Sequence, residues 1–208
     1  MRIFVIGASG RVGRCLLQEG GQRGHRFTAQ TRAQGKIAAS ENVSVAQGSP
    51  LDRRFLEQAL PGHDAVVFVL GIDHRWATTL FSEATALLIS SMQTAGVRRL
   101  VAVTGVGTGE SRGHGGWFYN LVIFPLFTRN RYRDKEKQEA LIEASELEWT
   151  IIRPAPFSEA PASNPFQIFD RIPTGLQLTK VHPREVATFI LDELEQRRHL
   201  GSKLFIGH

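Results

Sequence analysis

Met1-Arg2-Ile3-Phe4-Val5-Ile6-Gly7-Ala8-Ser9-Gly10-Arg11-Val12-Gly13 decides the fold. Ile3 to Ile6 is a short, apolar, β-branched run of the kind that forms a strand buried on both faces. It breaks at once into three glycines spaced Gly-x-x-Gly-x-x-Gly, followed by Val12, Leu16 and Leu17 at helical spacing. Gly7 lets the chain leave the strand sharply, Gly10 removes the Cβ that would hold a pyrophosphate off the backbone, and Gly13 lets the new helix lie close to the sheet. The start of that helix then presents unpaired N–H groups and the positive end of its dipole. The expectation is a strand feeding a phosphate-binding turn. A glycine-rich turn without a ligand is the plainer alternative, and following βαβ units would decide between them.

Those units follow. Gly20-Gly21 and Gly24 should terminate the first helix, and His25 to Thr31 reads as a second strand. It ends in Thr31-Arg32, with Lys36 four residues on and no Asp or Glu. A carboxylate at this place would accept from a free ribose 2′-OH, whereas a cation pairs with a 2′-phosphate. Arg32 therefore points to NADP(H) over NAD(H). Val43 to Ala46 is a third strand, and Asp52 should cap a helix with Phe55, Leu56, Ala59 and Leu60 on its apolar face. Asp64 to Gly71 is the clearest buried strand. A helix from about Ala77 to Ala95, capped by Gly96, leads to a fifth strand over Arg99 to Thr104. The alternation predicts an α/β fold: a doubly wound parallel sheet in a single three-layer α/β/α domain over residues 1–208.

Composition agrees. The 208 residues suit one domain, and 42% hydrophobic residues suffice for its core. A net charge of +5 fits an anionic ligand without requiring nucleic acid, and none is expected as a partner. A single cysteine, Cys15, excludes an internal disulfide and disfavours a metal site, and the expected location is the cytoplasm. The first strand begins too early for a signal peptide, and no apolar stretch reaches the roughly 18 residues of a membrane span.

The second half departs from regular alternation. Six glycines between Gly105 and Gly116 predict a loop at the carboxyl edge of the sheet, read as a substrate lid. The apolar stretch 117–127, Trp117 to Phe127, either packs on the domain or forms a pocket wall, a membrane-surface patch or a contact with a second copy or another partner. Arg129, Arg131, Arg133, Lys135 and Lys137, interleaved with Glu136, Glu139 and Glu143, read as one charged helix face. Glu148 to Arg153 is a further strand ended by Pro154 and Pro156, and Ala155 to Thr179 reads as long and irregular. His182-Pro183 starts a last helix, and Lys203 to Ile206 makes a last strand. A small substrate-side region built from 105–130 and 154–180 is expected beside the nucleotide domain.

Taken together, Gly7 to Gly13, Thr31-Arg32, Asp64 to Val67 with Gly71, Asp134 to Glu139, Leu147 to Pro154 and Arg184 to Ala187 resemble the atypical short-chain dehydrogenase/reductases. The chain is similar to the single-domain NmrA-like regulators and to flavin (biliverdin-IXβ) reductase. The resemblance implies a Rossmann-like fold holding NADP(H), with Gly7, Ser9, Gly10, Arg11, Val12 and Gly13 around the pyrophosphate and Arg32 at the 2′-phosphate. It also implies Gly71 and Thr104 beside the nicotinamide ribose, and Lys135 and Pro154 near the ring. Thr104 and Lys135 are then the candidate catalytic residues, and His114, Tyr119, Pro156 and Phe157 the candidate substrate contacts.

The wider superfamily carries Tyr-x-x-x-Lys, where the lysine helps the tyrosine exchange a proton with a substrate hydroxyl. Here Tyr132-Arg133-Asp134-Lys135 is one residue short, which on a helix turns the tyrosine about 100° away. Two readings remain: an NADPH-dependent reductase of a flat aromatic or quinoid acceptor, and an NADP(H)-binding regulator without turnover. A sugar epimerase or dehydratase is weaker, lacking both that pair and a sizeable C-terminal domain.

Overall fold

A computed structural model describes residues 1–71, 78–105, 129–173, 176 and 178–208; of 129–132 it describes only the helical backbone. His114, Tyr119 and the apolar stretch 117–127 lie outside the described residues.

In chain order the elements are β1 (Arg2–Ile6), α1 (Arg11–Gln22), β2 (Arg26–Thr31), β3 (Val43–Gln47), α2 (Arg53–Ala59), β4 (Ala65–Phe68) and α3 (Leu80–Ala95). Then follow β5 (Arg99–Val103), α4 (Arg129–Glu143), β6 (Glu148–Pro154), β7 (Gln167–Phe169), α5 (Pro183–Gln196) and β8 (Ser202–Gly207). The described strands form one sheet in the order β3-β2-β1-β4-β5-β6-β8-β7. All neighbours are parallel except β7 and β8. The strand order reverses between β1 and β4, which is the doubly wound, Rossmann-like arrangement.

The central strands are buried on both faces. Ile3, Val5, Val67, Val101 and Ile152 pack with residues of α1 and α5, and Phe4, Ile6, Phe68, Leu100, Ala102 and Ile151 pack with α2, α3 and α4. Capping follows the chain's own signals. Asp52 accepts from the Arg54 and Phe55 backbone N–H groups, and Gly96 takes the left-handed conformation after α3. His182 and Glu185 form a capping box around Pro183 at the start of α5.

The structure revises three expectations. Helix α1 runs through Gly20-Gly21 to Gln22, and Gly24, with φ +79°, follows its cap residue Arg23. Gly20 is instead a packing residue, because a Cβ there would lie 2.3 Å from the Phe27 ring. Helix α3 begins at Leu80. The stretch 155–179 carries β7, which pairs Ile168 with Ile206 antiparallel at the sheet edge.

Candidate functional site

In an open α/β sheet a ligand crevice lies at the carboxyl ends of the strands where the order reverses, here β1 and β4. Gly7 leaves β1 with φ +87°, and a Cβ on it would meet the Leu70 backbone at 2.7 Å. On Gly13 a Cβ would lie 2.5 Å from the Gly7 carbonyl oxygen, so both glycines are forced by packing within the chain. Gly10 differs: its nearest neighbour would be the Gly7 oxygen at 3.2 Å, and it is exposed. Among the described residues no other atom comes within 4 Å of that side. Helix α1 has no side-chain cap and no acidic residue in its first turn, so among the described residues its leading N–H groups have no side-chain acceptor. Arg14 ties the turn down by donating to the Ser9 carbonyl at 2.9 Å. An open, uncapped, acid-free helix start fits a dinucleotide pyrophosphate.

The second strand end is equally free of acid. Arg32 and Lys36 are exposed just beyond β2. Arg11 reaches across the edge of the sheet to the chain following β6, donating to the Ser158 carbonyl at 2.8 Å and pairing with Glu159 at 3.1 Å. Its guanidinium lies 5.6 Å from the Phe157 ring centre. Thus Arg11 joins the glycine turn to Phe157, while Pro156 is exposed nearby and Pro154 is buried at the end of β6. Gly71, after β4, is exposed, and among the described residues nothing lies within 4 Å of where a Cβ would stand.

Thr104 and Lys135 are brought together. The Lys135 ammonium donates to the Thr104 carbonyl at 2.9 Å and lies 4.5 Å from the Phe81 ring centre. The Thr104 hydroxyl donates to Glu139 at 2.6 Å, and Glu139 takes two bonds from Arg153, at 3.1 and 2.6 Å. The strand register explains the meeting: Ala102 pairs with Ile151, so Thr104 and Arg153 fall two residues further along on the same face, toward α4. One turn earlier on α4, buried Asp134 caps α3 by accepting from the Phe81 backbone N–H at 2.8 Å and from Ser82.

Helix α4 is therefore not one solvated charged face. Asp134, Lys135, Gln138 and Glu139 are buried, and Glu143 pairs with Lys203 of β8. Glu139 and Arg153 were not identified as site residues from the sequence. The available signal was Arg153 beside Ile151-Ile152 in a buried strand, since an arginine there requires an anionic partner. A depression of about 600 Å³ lined by Thr78, Thr79, Arg133, Glu136 and Lys137 lies at the junction of α3 and α4, and no residue of the glycine turn lines it.

A family model described as NAD(P)H-binding matches residues 7–197. The chain belongs to the NAD(P)H-binding family. A curated relative, the "Uncharacterized sugar epimerase YhfK" of Bacillus subtilis, is 27% identical over 176 residues, 78% of this chain and 75% of its own. Among solved structures, a short-chain dehydrogenase/reductase of Veillonella parvula in complex with NADP superposes with a TM-score of 0.82 at 19% identity, covering 100% of this chain and 94% of that one. ChuY of Escherichia coli O157:H7, "An Anaerobillin Reductase", gives 0.83 at 19%, covering 99% and 96%. The fold and the NAD(P)H-binding assignment thus agree with the resemblance to atypical short-chain dehydrogenase/reductases. Among the described residues no helix is long and apolar enough to cross a membrane.

Proposed function

We propose that this chain is an NADPH-dependent oxidoreductase that passes hydride to a flat acceptor such as a flavin or quinone. The observation that carries this reading is the engagement of Thr104 and Lys135. The Thr104 proton goes to Glu139, and the Lys135 ammonium lies on main-chain carbonyls. Neither is set up to relay a proton to an alcohol or ketone, and the Tyr132–Lys135 spacing supplies no substitute. A flat conjugated acceptor does not need such a relay: bound NADPH supplies the hydride, and the one proton that completes the reduction comes from solvent.

What the residues do is hold and orient. The uncapped start of α1 and the open face of Gly10 hold the pyrophosphate, and Arg32 with Lys36 favours the 2′-phosphate. Gly71, Thr104, Lys135 and Pro154 frame the nicotinamide end. Pro156 and Phe157 border the acceptor on the substrate side. Holding two planes face to face accounts for most of the rate such a site needs. The NADP complex of the Veillonella neighbour and the reductase activity named for ChuY support this reading. YhfK's name favours sugar chemistry instead, which calls for the Tyr-x-x-x-Lys pair that the sequence does not carry.

The test is NADPH oxidation by purified protein with FMN or a short-chain quinone, alongside the NADPH-induced shift in melting temperature. Turnover above background is expected. A melting shift without turnover of either acceptor overturns the reductase reading and leaves a cofactor-binding regulator.

A further inference from the structure

Every hydrogen on the polar atoms of Thr104 is committed. Its backbone N–H donates to the Ile152 carbonyl at 2.9 Å, and its hydroxyl donates to Glu139. Its own carbonyl takes the Lys135 ammonium. Glu139 cannot exchange roles with Thr104, because a carboxylate held through two bonds by Arg153 has lone pairs and no proton to give. The side chains of Glu139 and Arg153 are 4% and 3% exposed, so water does not readily take over as the hydroxyl's acceptor. A hydroxyl has one donor and two acceptor positions. With the donor spent, Thr104 offers a ligand lone pairs alone, from a residue that keeps 8% of its surface at the carboxyl end of β5.

We propose that Thr104 is a hydrogen-bond acceptor only, set by Glu139 and Arg153 as positioning residues, so that the site selects a planar hydride acceptor with an N–H donor on its edge over a quinone whose edge bears only carbonyls. This rests on the reductase reading above. A carbonyl oxygen facing Thr104 meets lone pair against lone pair, whereas a ring N–H donates to Thr104, which in turn donates to Glu139, the carboxylate that also accepts from Arg153. Cooperative polarisation along such a chain strengthens each bond. The same arrangement keeps Thr104 from acting as a general acid, in agreement with a solvent proton.

Lumiflavin and 3-methyl-lumiflavin are the probes: they share a reducible ring and differ in the N3–H. Their dissociation constants are measured by flavin fluorescence with NADP+ present, and kcat/KM by NADPH oxidation. The wild-type protein is expected to prefer lumiflavin by about tenfold, the worth of one buried hydrogen bond, and Thr104→Val to treat the two alike. Equal binding by the wild type, a preference that survives in Thr104→Val, or no binding of either flavin overturns the assignment. Binding preference without NADPH-driven reduction defeats the reductase reading while the Thr104 assignment stands. Glu139→Gln adds a second arm. Its amide can donate to Thr104 and turn the hydroxyl proton outward, so turnover of menadione relative to lumiflavin should rise. An unchanged ratio in folded Glu139→Gln protein removes Glu139 as the positioning residue.

Discussion

Two buried arginine–glutamate pairs stand at opposite ends of the sheet. Arg99 and Glu193 meet at the amino end of β5, 2.9 Å apart with side chains 3% and 1% exposed; Arg153 and Glu139 meet at the carboxyl end of β6. The chemistry is the same and the surroundings differ. Around Arg99 the other partners belong to the scaffold: the Glu148 carbonyl, the Thr150 hydroxyl, and the His199 backbone N–H on Glu193. These tie the end of α5 and the turn after it to the strands. Around Arg153 the chain of bonds runs outward to Thr104, at the edge where the crevice opens. A buried ion pair acquires a functional role through the third group that it orients.

Breaking the scaffold pair should give the largest effect. In Glu193→Ala, Arg99 stays buried without its anion, in a setting where burial already pushes the guanidinium below its ordinary range. Removing one partner of such a pair costs about 3–5 kcal/mol. The melting temperature should fall by roughly 10 °C, while the protein that remains folded binds NADPH as before. Weakened NADPH binding by folded Glu193→Ala would dissolve the distinction between the two ends.

The carboxyl end is sharpened by a smaller change. Arg32 is exposed beyond β2, and its removal should leave stability nearly untouched. Loss of a charge-assisted contact to a 2′-phosphate should weaken NADPH by about tenfold or more and leave NADH unchanged, read by titration of both cofactors against Arg32→Ala. Equal losses for the two cofactors would remove the 2′-phosphate assignment.

The two ends also differ in how far the sequence discloses them. The glycine turn, the acid-free end of β2 and the caps at Asp52, Gly96 and His182 are local: their residues are neighbours in the chain, and their conformational demands show in the residue types. The arginine pairs are not local. Arg153 finds Glu139 14 residues away, Thr104 finds it across 35, and Arg99 finds Glu193 across 94. Which face of α4 turns inward depends on where β5 and β6 end, and charge spacing within the helix carries no record of that. Strand β7 escaped for a related reason. Its three residues are exposed or half-buried and gain their conformation from β8 alone.

The smallest expected effect concerns the amino end, where His63 joins Leu60 to β2. Its Nδ1 lies 3.0 Å from the Leu60 carbonyl and its Nε2 2.7 Å from the Thr28 hydroxyl, an arrangement suited to a neutral ring that donates from Nδ1 and accepts at Nε2. Burial is the main cause that pushes this imidazole below its ordinary value; the charge of Arg2 acts in the same direction, against the Leu60 bond and Asp64. The folded chain therefore takes up this proton less readily than the unfolded chain. The stabilisation is complete above about pH 6.5, declines as pH falls through that value, and levels off once the folded-state value is passed. Between pH 7.5 and 5 the wild-type melting temperature should drop more steeply than that of His63→Gln, whose side chain does not titrate. Cofactor affinity should follow the same pH course in both proteins, because His63 lies at the edge remote from the glycine turn. Parallel melting curves would show that the ring does not couple folding to protons, and a divergence in NADPH affinity would show that the amino end reaches the crevice after all.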